Sequence, residues 1–356
     1  MEEPILAFVG DIMLSRGVGV RLAEYPDTRI LAPSVTGLLA RADYRIGNLE
    51  CPISDTGVVR REGLFRADSS TLVQLRHFDL LTLANNHTHD CGLQGVDDTV
   101  AALEAAGYAH TGFCNENGQQ SCFTCIVKGM RIAIIALARP ECIPVLESGR
   151  WSVNRSDAVG IMDMIAEKRQ THDKVVTIIH GGNEMIPEPP PTLVGLARDM
   201  VDAGADIVVT HHPHVLGGME AYNGGLIFYS LGDFIFDGQS NLRRLGAVLT
   251  ITFGQHQTNW EMTYTTIGSD LTVDLANSVS AGKAKLEFER VSREIISKEY
   301  EVRYNRFYRS SMLRFQIDRL YYLLRNRGIT FVLSFGLSRM KLVPHYFNSV
   351  LNRLHQ

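Results

Sequence analysis

Six short apolar runs in this sequence each end on residues able to bind a cation or move a proton. Asp11 follows residues 5–10, Asn48 and Glu50 follow 44–47, and Asn85, Asn86, His87, His89 and Asp90 follow 80–84. His180 and Glu184 follow 175–179, His211, His212 and His214 follow 207–210, and Ser230 and Asp233 follow 226–229. Six of the 12 histidines therefore fall on three of these ends, a clustering that core packing does not explain. A mixed Asp/Glu/Asn/His set without cysteine suits Mn, Fe, Zn or Mg ions rather than a structural zinc cage, which prefers thiolates. Carboxylates supply charge, neutral imidazoles supply nitrogen donors, and one carboxylate can bridge two ions about 3.5–4 Å apart.

Taken singly, these residues have ordinary explanations. Asp11 can cap a helix, Glu50 can be a surface charge, and Asn86-His87 can form a turn. The triplet His212-Pro213-His214 is more informative, because proline fixes the backbone and lets imidazoles at i and i+2 converge on one cluster. What unites the set is one spatial rule. Every member lies at a strand end, where open α/β sheets place their ligands, so a metal site is expected there.

The elements that must position these residues are legible in outline. Strands are expected at 5–9, 44–47, 80–83, 132–136, 175–179, 207–210 and 226–230, short, rich in Val/Ile/Leu and mostly apolar on both faces. Helical patterns lie at 96–106, 156–169 and 193–203, the last after a proline run at 187–191 and before Gly204. The alternation implies a layered α/β fold. Two more segments, 248–253 and 262–266, read as antiparallel strands with no helix between them, so mixed β-sheets flanked by helices are expected. Beyond about Asp274, residues 286–296 and 304–326 look helical, with Arg/Lys on one side and Leu/Tyr/Phe on the other. A last apolar piece, 329–337, is too short to span a bilayer.

Composition narrows the class. With 356 residues, 45% apolar and 21% charged, the chain can bury a substantial core and is not a disordered polymer. The net charge of −4 hides an asymmetry: residues 281–356 carry 15 Lys/Arg against 6 Asp/Glu, so the remainder is strongly acidic. We therefore expect two domains, an acidic body over 1–274 and a basic helical C-terminal appendage over 275–356. An acidic body argues against nucleic acid as the main ligand and fits one that gathers cations. No long apolar run occurs, and the opening residues, interrupted by Asp11, read as a first strand rather than a signal peptide; a cytoplasmic location with reduced cysteines is the expectation. Cys122 and Cys125 have CxxC spacing, but there is no second pair. Arg16-Gly17-Val18-Gly19 resembles a dinucleotide loop only at its start, since Leu22 stands at the third glycine position.

The motifs taken in order resemble the CapA family of capsule-synthesis, poly-γ-glutamate-associated proteins, a branch of the calcineurin-like metallophosphoesterase superfamily. The matching pieces are Gly10-Asp11-Ile12-Met13, Gly47-Asn48-Leu49-Glu50, Asn85-Asn86-His87 with Asp90, His180-Gly181-Gly182-Asn183-Glu184, His211-His212-Pro213-His214, and Ser230-Leu231-Gly232-Asp233 running on to Asp237. The match spans roughly residues 4–250 and excludes the basic end. The resemblance implies a layered metallophosphoesterase-like fold and one or two divalent metal ions. Asp11 would bind one ion, Glu50 would bridge, Asn86, His180 and His212 would hold the second, and His214 would return to the first. His87 would be the acid that assists the leaving group, and Glu184 a ligand or base. Two positions depart from the pattern: Met13 stands where the superfamily usually has histidine, and Asp233 where the family commonly has asparagine.

The implied activity is metal-dependent hydrolysis of a phosphoester or of an amide such as a γ-glutamyl bond. The alternative is a metal- or polymer-binding accessory subunit of a polymer-synthesis complex. Expected partners are an anionic polymer or phosphorylated substrate, with a synthesis complex or an anionic membrane surface engaged through the basic end, where Lys/Arg clusters favour anions.

Overall fold

A computed structural model describes residues 2–59, 65–114, 119–143, 152–238, 240, 242–255 and 257–306. The first half of the chain supplies β1 (Ile5–Ile12), α1 (Arg16–Glu24), α2 (Pro33–Leu39), β2 (Tyr44–Leu49), β3 (Leu80–Thr82), α3 (Gly92–Ala105), β4 (Ala109–Thr111), β5 (Phe123–Val127), β6 (Met130–Ala138), α4 (Ile161–Thr171) and β7 (Lys174–His180). It continues with α5 (Pro191–Asp202), β8 (Ile207–His211), β9 (Met219–Tyr222), β10 (Gly225–Phe228), β11 (Asp233–Ile235), β12 (Leu245–Phe253), β13 (Thr258–Ile267), β14 (Val273–Leu275) and α6 (Ser278–Ser297).

The strands form two mixed sheets. One runs β14-β13-β12-β1-β2-β3-β4, with β11 also pairing to β1, and the other runs β5-β6-β7-β8-β10-β9. Strand alternation assigns the faces. In β6, Ile132, Ile134, Ala136 and Ala138 enter the core shared by the two sheets. Ala133, Ile135 and Leu137 face the other way, with Ile161 and Ile165 of α4, Leu193 and Ala197 of α5, and Val291 and Ile295 of α6. A strand sandwiched in this way must be apolar on both faces, which is why these runs stand out in the sequence.

Parallel pairing brings the polar strand ends together. β1, β2, β3 and β4 run parallel, as do β6, β7, β8 and β10, so their C-terminal ends open on one side of each sheet. Register then sets Asp11 beside Asn48, Asn48 beside Thr82, and His180 beside His211. β11 sets Asp233 beside Asp11. Gly10 permits this approach, because a Cβ there would lie 2.0 Å from the Gly232 carbonyl oxygen. Gly10→Ala is accordingly expected to force the two segments apart and cost about 1–3 kcal/mol, readable as a lower urea midpoint.

Several boundaries differ from expectation. The helix expected from residue 156 starts at Ile161, because Gly160 adopts a left-handed backbone (φ +83°) that ends the preceding turn. The strand expected over 226–230 stops at Phe228, since Ser230 has φ +65°. Arg16-Gly17 opens helix α1, and Gly17 donates its N–H to Asp237 at 3.0 Å. All six cysteines are unpaired. The first compact unit runs past the expected Asp274 boundary to Glu301. The reason is packing: α6, capped by the Asn277 side chain, buries Ala284, Phe288, Val291 and Ile295, an i, i+4, i+7, i+11 stripe. A second unit begins at Val302, and the expected helix beyond residue 306, the piece at 329–337 and the arginines among them lie outside the described residues. No described helix is long and apolar enough to cross a membrane.

Candidate metal centre

Glu50 lies at the centre of the polar strand ends. Its side chain is 0% exposed, and neither carboxylate oxygen has a hydrogen-bond partner. Three imidazole nitrogens surround Oε1 instead: His180 Nε2 at 3.6 Å, His214 Nε2 at 3.7 Å and His87 Nε2 at 3.9 Å. These separations are too long for hydrogen bonds. An unpaired buried carboxylate costs several kcal/mol unless a cation meets it, so the donor set fits a bound metal ion.

Two groups of donors satisfy that geometry: Glu50, His180 and His212, and Asp11, Glu50 and His214. Glu50 belongs to both, as a bridging carboxylate would. Asn86 joins the first group, its Oδ1 lying 2.7 Å from His180 Nε2, which is itself 3.1 Å from His212 Nδ1. All six residues expected to bind metal are therefore gathered in one place. Glu184 joins neither group. Its side chain is exposed, and it reaches the centre only through its charge, which raises the Glu50 pKa.

The electrostatics follow from burial. Burial pushes the Glu50 carboxyl well above its usual range, opposed by His214 and reinforced by Asp11, Asp233 and Glu184. Asp11 is also fully buried, yet the hydrogen bond and charge of His211, with His214 and His180, hold it far below the usual carboxylate range. Burial, with the neighbouring His214, lowers His212 to about 4. Burial also lowers His180 strongly, helped by His212. His214 goes the other way. Burial would lower it, but Glu50, Asp233 and Asp11 raise it to about 10.

Supporting residues fix the imidazoles. His214 pairs through Nδ1 with Asp233 at 2.8 Å, and Arg243 Nε donates to the other Asp233 oxygen at 3.1 Å. Carboxylate partners of this kind set ring orientation and tautomer at metal sites. The acidic departure at Asp233 is thus accommodated by an arginine ten residues later. His87 pairs through Nδ1 with Asp90 at 2.7 Å and stacks on Phe65, centroids 3.9 Å apart, which leaves Nε2 facing Glu50. Asn85 pins the same turn, donating to the Leu49 carbonyl at 2.8 Å and accepting the His87 N–H at 3.1 Å. Asn48 donates to Asp11 Oδ1 at 2.8 Å and lies 3.3 Å from His180 Nδ1, so it ties the two donor groups together. Sequence reasoning placed Asn48, Asp90 and His211 at strand ends but assigned them no role, and nothing in the sequence marked Arg243.

The comparisons with known proteins bear on the same residues. A family model described as bacterial capsule synthesis protein PGA_cap matches residues 5–238. The chain belongs to this family. Every candidate ligand, together with His87, Asp90 and Asp233, falls inside the matched stretch, whereas α6 falls outside it. The chain is 33% identical over 258 residues to the capsule biosynthesis protein CapA of Bacillus anthracis, a match covering 66% of this chain and 60% of that protein. It is 32% identical over 246 residues to the PGA biosynthesis protein CapA of Bacillus subtilis strain 168, covering 65% and 63%. The match thus spans about three fifths of the length of these two relatives. Among solved structures, a putative 5'-nucleotidase from Staphylococcus aureus aligns over 81% of this chain and 58% of its own, with 16% identity and a TM-score of 0.46.

Proposed function

We propose that this member of the PGA_cap family is a metal-dependent hydrolase, acting on a phosphoester or on an amide such as a γ-glutamyl bond in capsule or poly-γ-glutamate metabolism. The observation that carries the reading is the unpartnered Glu50 carboxylate, ringed by three imidazoles, with His87 among them and held by Asp90. Asp11, Glu50 and His214 would hold one divalent ion, and Glu50, Asn86, His180 and His212 another. Bound ions would supply Lewis acidity at the scissile group. His87 keeps Nδ1 on Asp90 and presents Nε2, from which a proton can pass to a leaving group. The basic C-terminal end, with 15 Lys/Arg over residues 281–356, is not needed for this step; we assign that segment to an anionic partner, either the polymer or a membrane surface.

A second reading, a metal- or polymer-binding accessory subunit without turnover, is favoured by Met13, which takes the place of a histidine donor. One experiment separates the two. Protein loaded with Mn²⁺ is offered an aryl phosphate and a γ-glutamyl amide, beside His212→Ala. Turnover of either substrate that falls with metal content in the variant supports the hydrolase. Stoichiometric metal without turnover of either supports the accessory role.

A further inference from the structure

We propose that Arg16 is a substrate-binding residue of this centre, and that it takes a second negative group, a carboxylate or a phosphate, set several bonds away from the scissile one. This rests on the metal-dependent reading above.

Two aromatic rings place Arg16 beside the centre. His87 stacks on Phe65 with centroids 3.9 Å apart, and the Arg16 guanidinium carbon lies 5.2 Å from the centroid of the same ring. That carbon is also 6.0 Å from the Phe236 ring, which packs against His214 at 4.8 Å. The guanidinium is thus one aromatic ring away from His87 and one away from His214. A cation within about 6 Å of a ring is attracted by the ring's quadrupole. Phe236 carries a second guanidinium, Arg243 at 4.6 Å, so positive charge gathers at this edge of a centre built on buried carboxylates.

Stability alone does not account for Arg16. Its Nε and Nη2 donate to Asp237 at 3.1 and 2.5 Å, yet the side chain stays 43% exposed, and Nη1 has no hydrogen-bond partner among the described residues. An ion pair this exposed adds little to a fold. The backbone at Arg16 sits at φ +51°, in the left-handed region that residues other than glycine avoid. Such strain persists only where the surroundings over-determine it, and it clusters at ligand clamps. Asp237 supplies the hold, because it also accepts the Gly17 N–H at 3.0 Å. One carboxylate therefore fixes the strained turn and two nitrogens of the guanidinium, with Nη1 left over. A planar fork with unspent donors suits carboxylate and phosphate. With the scissile group at the donor residues, Arg16 meets a charge farther along the same molecule, as the α-carboxylate of a γ-glutamyl amide would be.

The test loads the full chain with Mn²⁺ and titrates it by calorimetry with glutarate and with butyrate, which lacks the second carboxylate. Glutarate should bind about 10–100-fold more tightly, the worth of one hydrogen bond between charged groups. Arg16→Gln should erase that preference while leaving butyrate binding and bound Mn²⁺ unchanged. Arg16→Lys, which keeps the charge without the fork, should retain part of it. A residue that only anchors α1 would not move the ratio of two ligands on one metal-loaded protein. Equal affinities in the native chain, a preference that survives Arg16→Gln, or binding of neither acid would overturn the assignment and leave the metal centre intact. A native chain that retains no Mn²⁺ would overturn the metal-dependent reading itself.

Discussion

Replacing Glu50 with methionine is expected to stabilise the metal-free protein and to abolish the stabilisation that metal confers. The native side chain is fully buried with both oxygens unpartnered, so without an ion it is a liability to the fold. Removing a buried polar group that has no hydrogen-bond partner recovers its desolvation penalty, about 1–3 kcal/mol. A protein of this size should then melt a few degrees higher in chelator, at roughly 1–2 °C per kcal/mol. With metal at ~100 times its dissociation constant the native chain gains about 2.7 kcal/mol, and the variant should gain almost none of it. Melting curves with chelator and with Mn²⁺ therefore cross over between the two proteins. A variant that melts lower in chelator, or still gains stability from Mn²⁺, would show that Glu50 is an ordinary structural carboxylate.

The same residue predicts a pH signature. Its folded pKa is raised, so between the ordinary carboxylate range and the shifted value the native state holds a proton that the unfolded chain has lost. Stability of the metal-free protein should fall as pH rises through that window, and Glu50→Met should flatten the slope. His214 has the same sign. Raised to about 10, it contributes stability that is complete below its usual value near 6.5 and disappears as pH climbs through 10. Because His214 is protonated in the metal-free centre at pH 7, its use as a donor must expel a proton. Calorimetric titrations in buffers of different ionisation enthalpy should report a release of at least one proton, and a buffer-independent enthalpy would contradict the assignment.

The donors themselves were legible because they sit at the ends of strands that advertise themselves. Runs such as Val175–Ile179 of β7 lie between the core shared by the two sheets and the core on the helix side, so they are almost wholly apolar and the histidine that ends the strand is conspicuous. The partners of the donors were not legible, because they are joined by pairings distant in sequence. Asn48 reaches His180, 132 residues away, only once the two sheets that hold β2 and β7 have packed together. Glu184, which the family resemblance implies is a ligand or base, follows the turn at Gly182 (φ +125°) and has an exposed side chain outside both donor groups. Charge placed the domain boundary at Asp274, whereas the apolar stripe of α6 carries the body on to Glu301. Burial, not charge, decides which chain belongs to a core.

Replacing His87 with alanine should reduce turnover by about 10²–10⁴-fold while leaving bound metal and fold unchanged. The geometry separates this residue from the donors around it. Its Nε2 is 3.9 Å from Glu50, farther than either His180 or His214, and its Nδ1 is committed to Asp90. Stacking on Phe65 and a side chain 14% exposed hold the ring at the edge of the centre, where a substrate can reach it. Asp90 also accepts the Phe65 N–H at 2.6 Å, so one carboxylate orders both the ring and the aromatic surface behind it. Asp90→Asn should therefore lower turnover too, by weakening control of the His87 tautomer, and cost about 1–3 kcal/mol of stability. Leaving-group chemistry distinguishes a proton donor from a residue that only steadies charge. A group that leaves as a stable anion needs little help, whereas an alkoxide or amine needs a proton. The His87→Ala defect should accordingly be small with a nitrophenyl ester and large with an alkyl ester or an amide. An equal defect across that series would place His87 in substrate binding, and metal lost along with activity would make it a ligand.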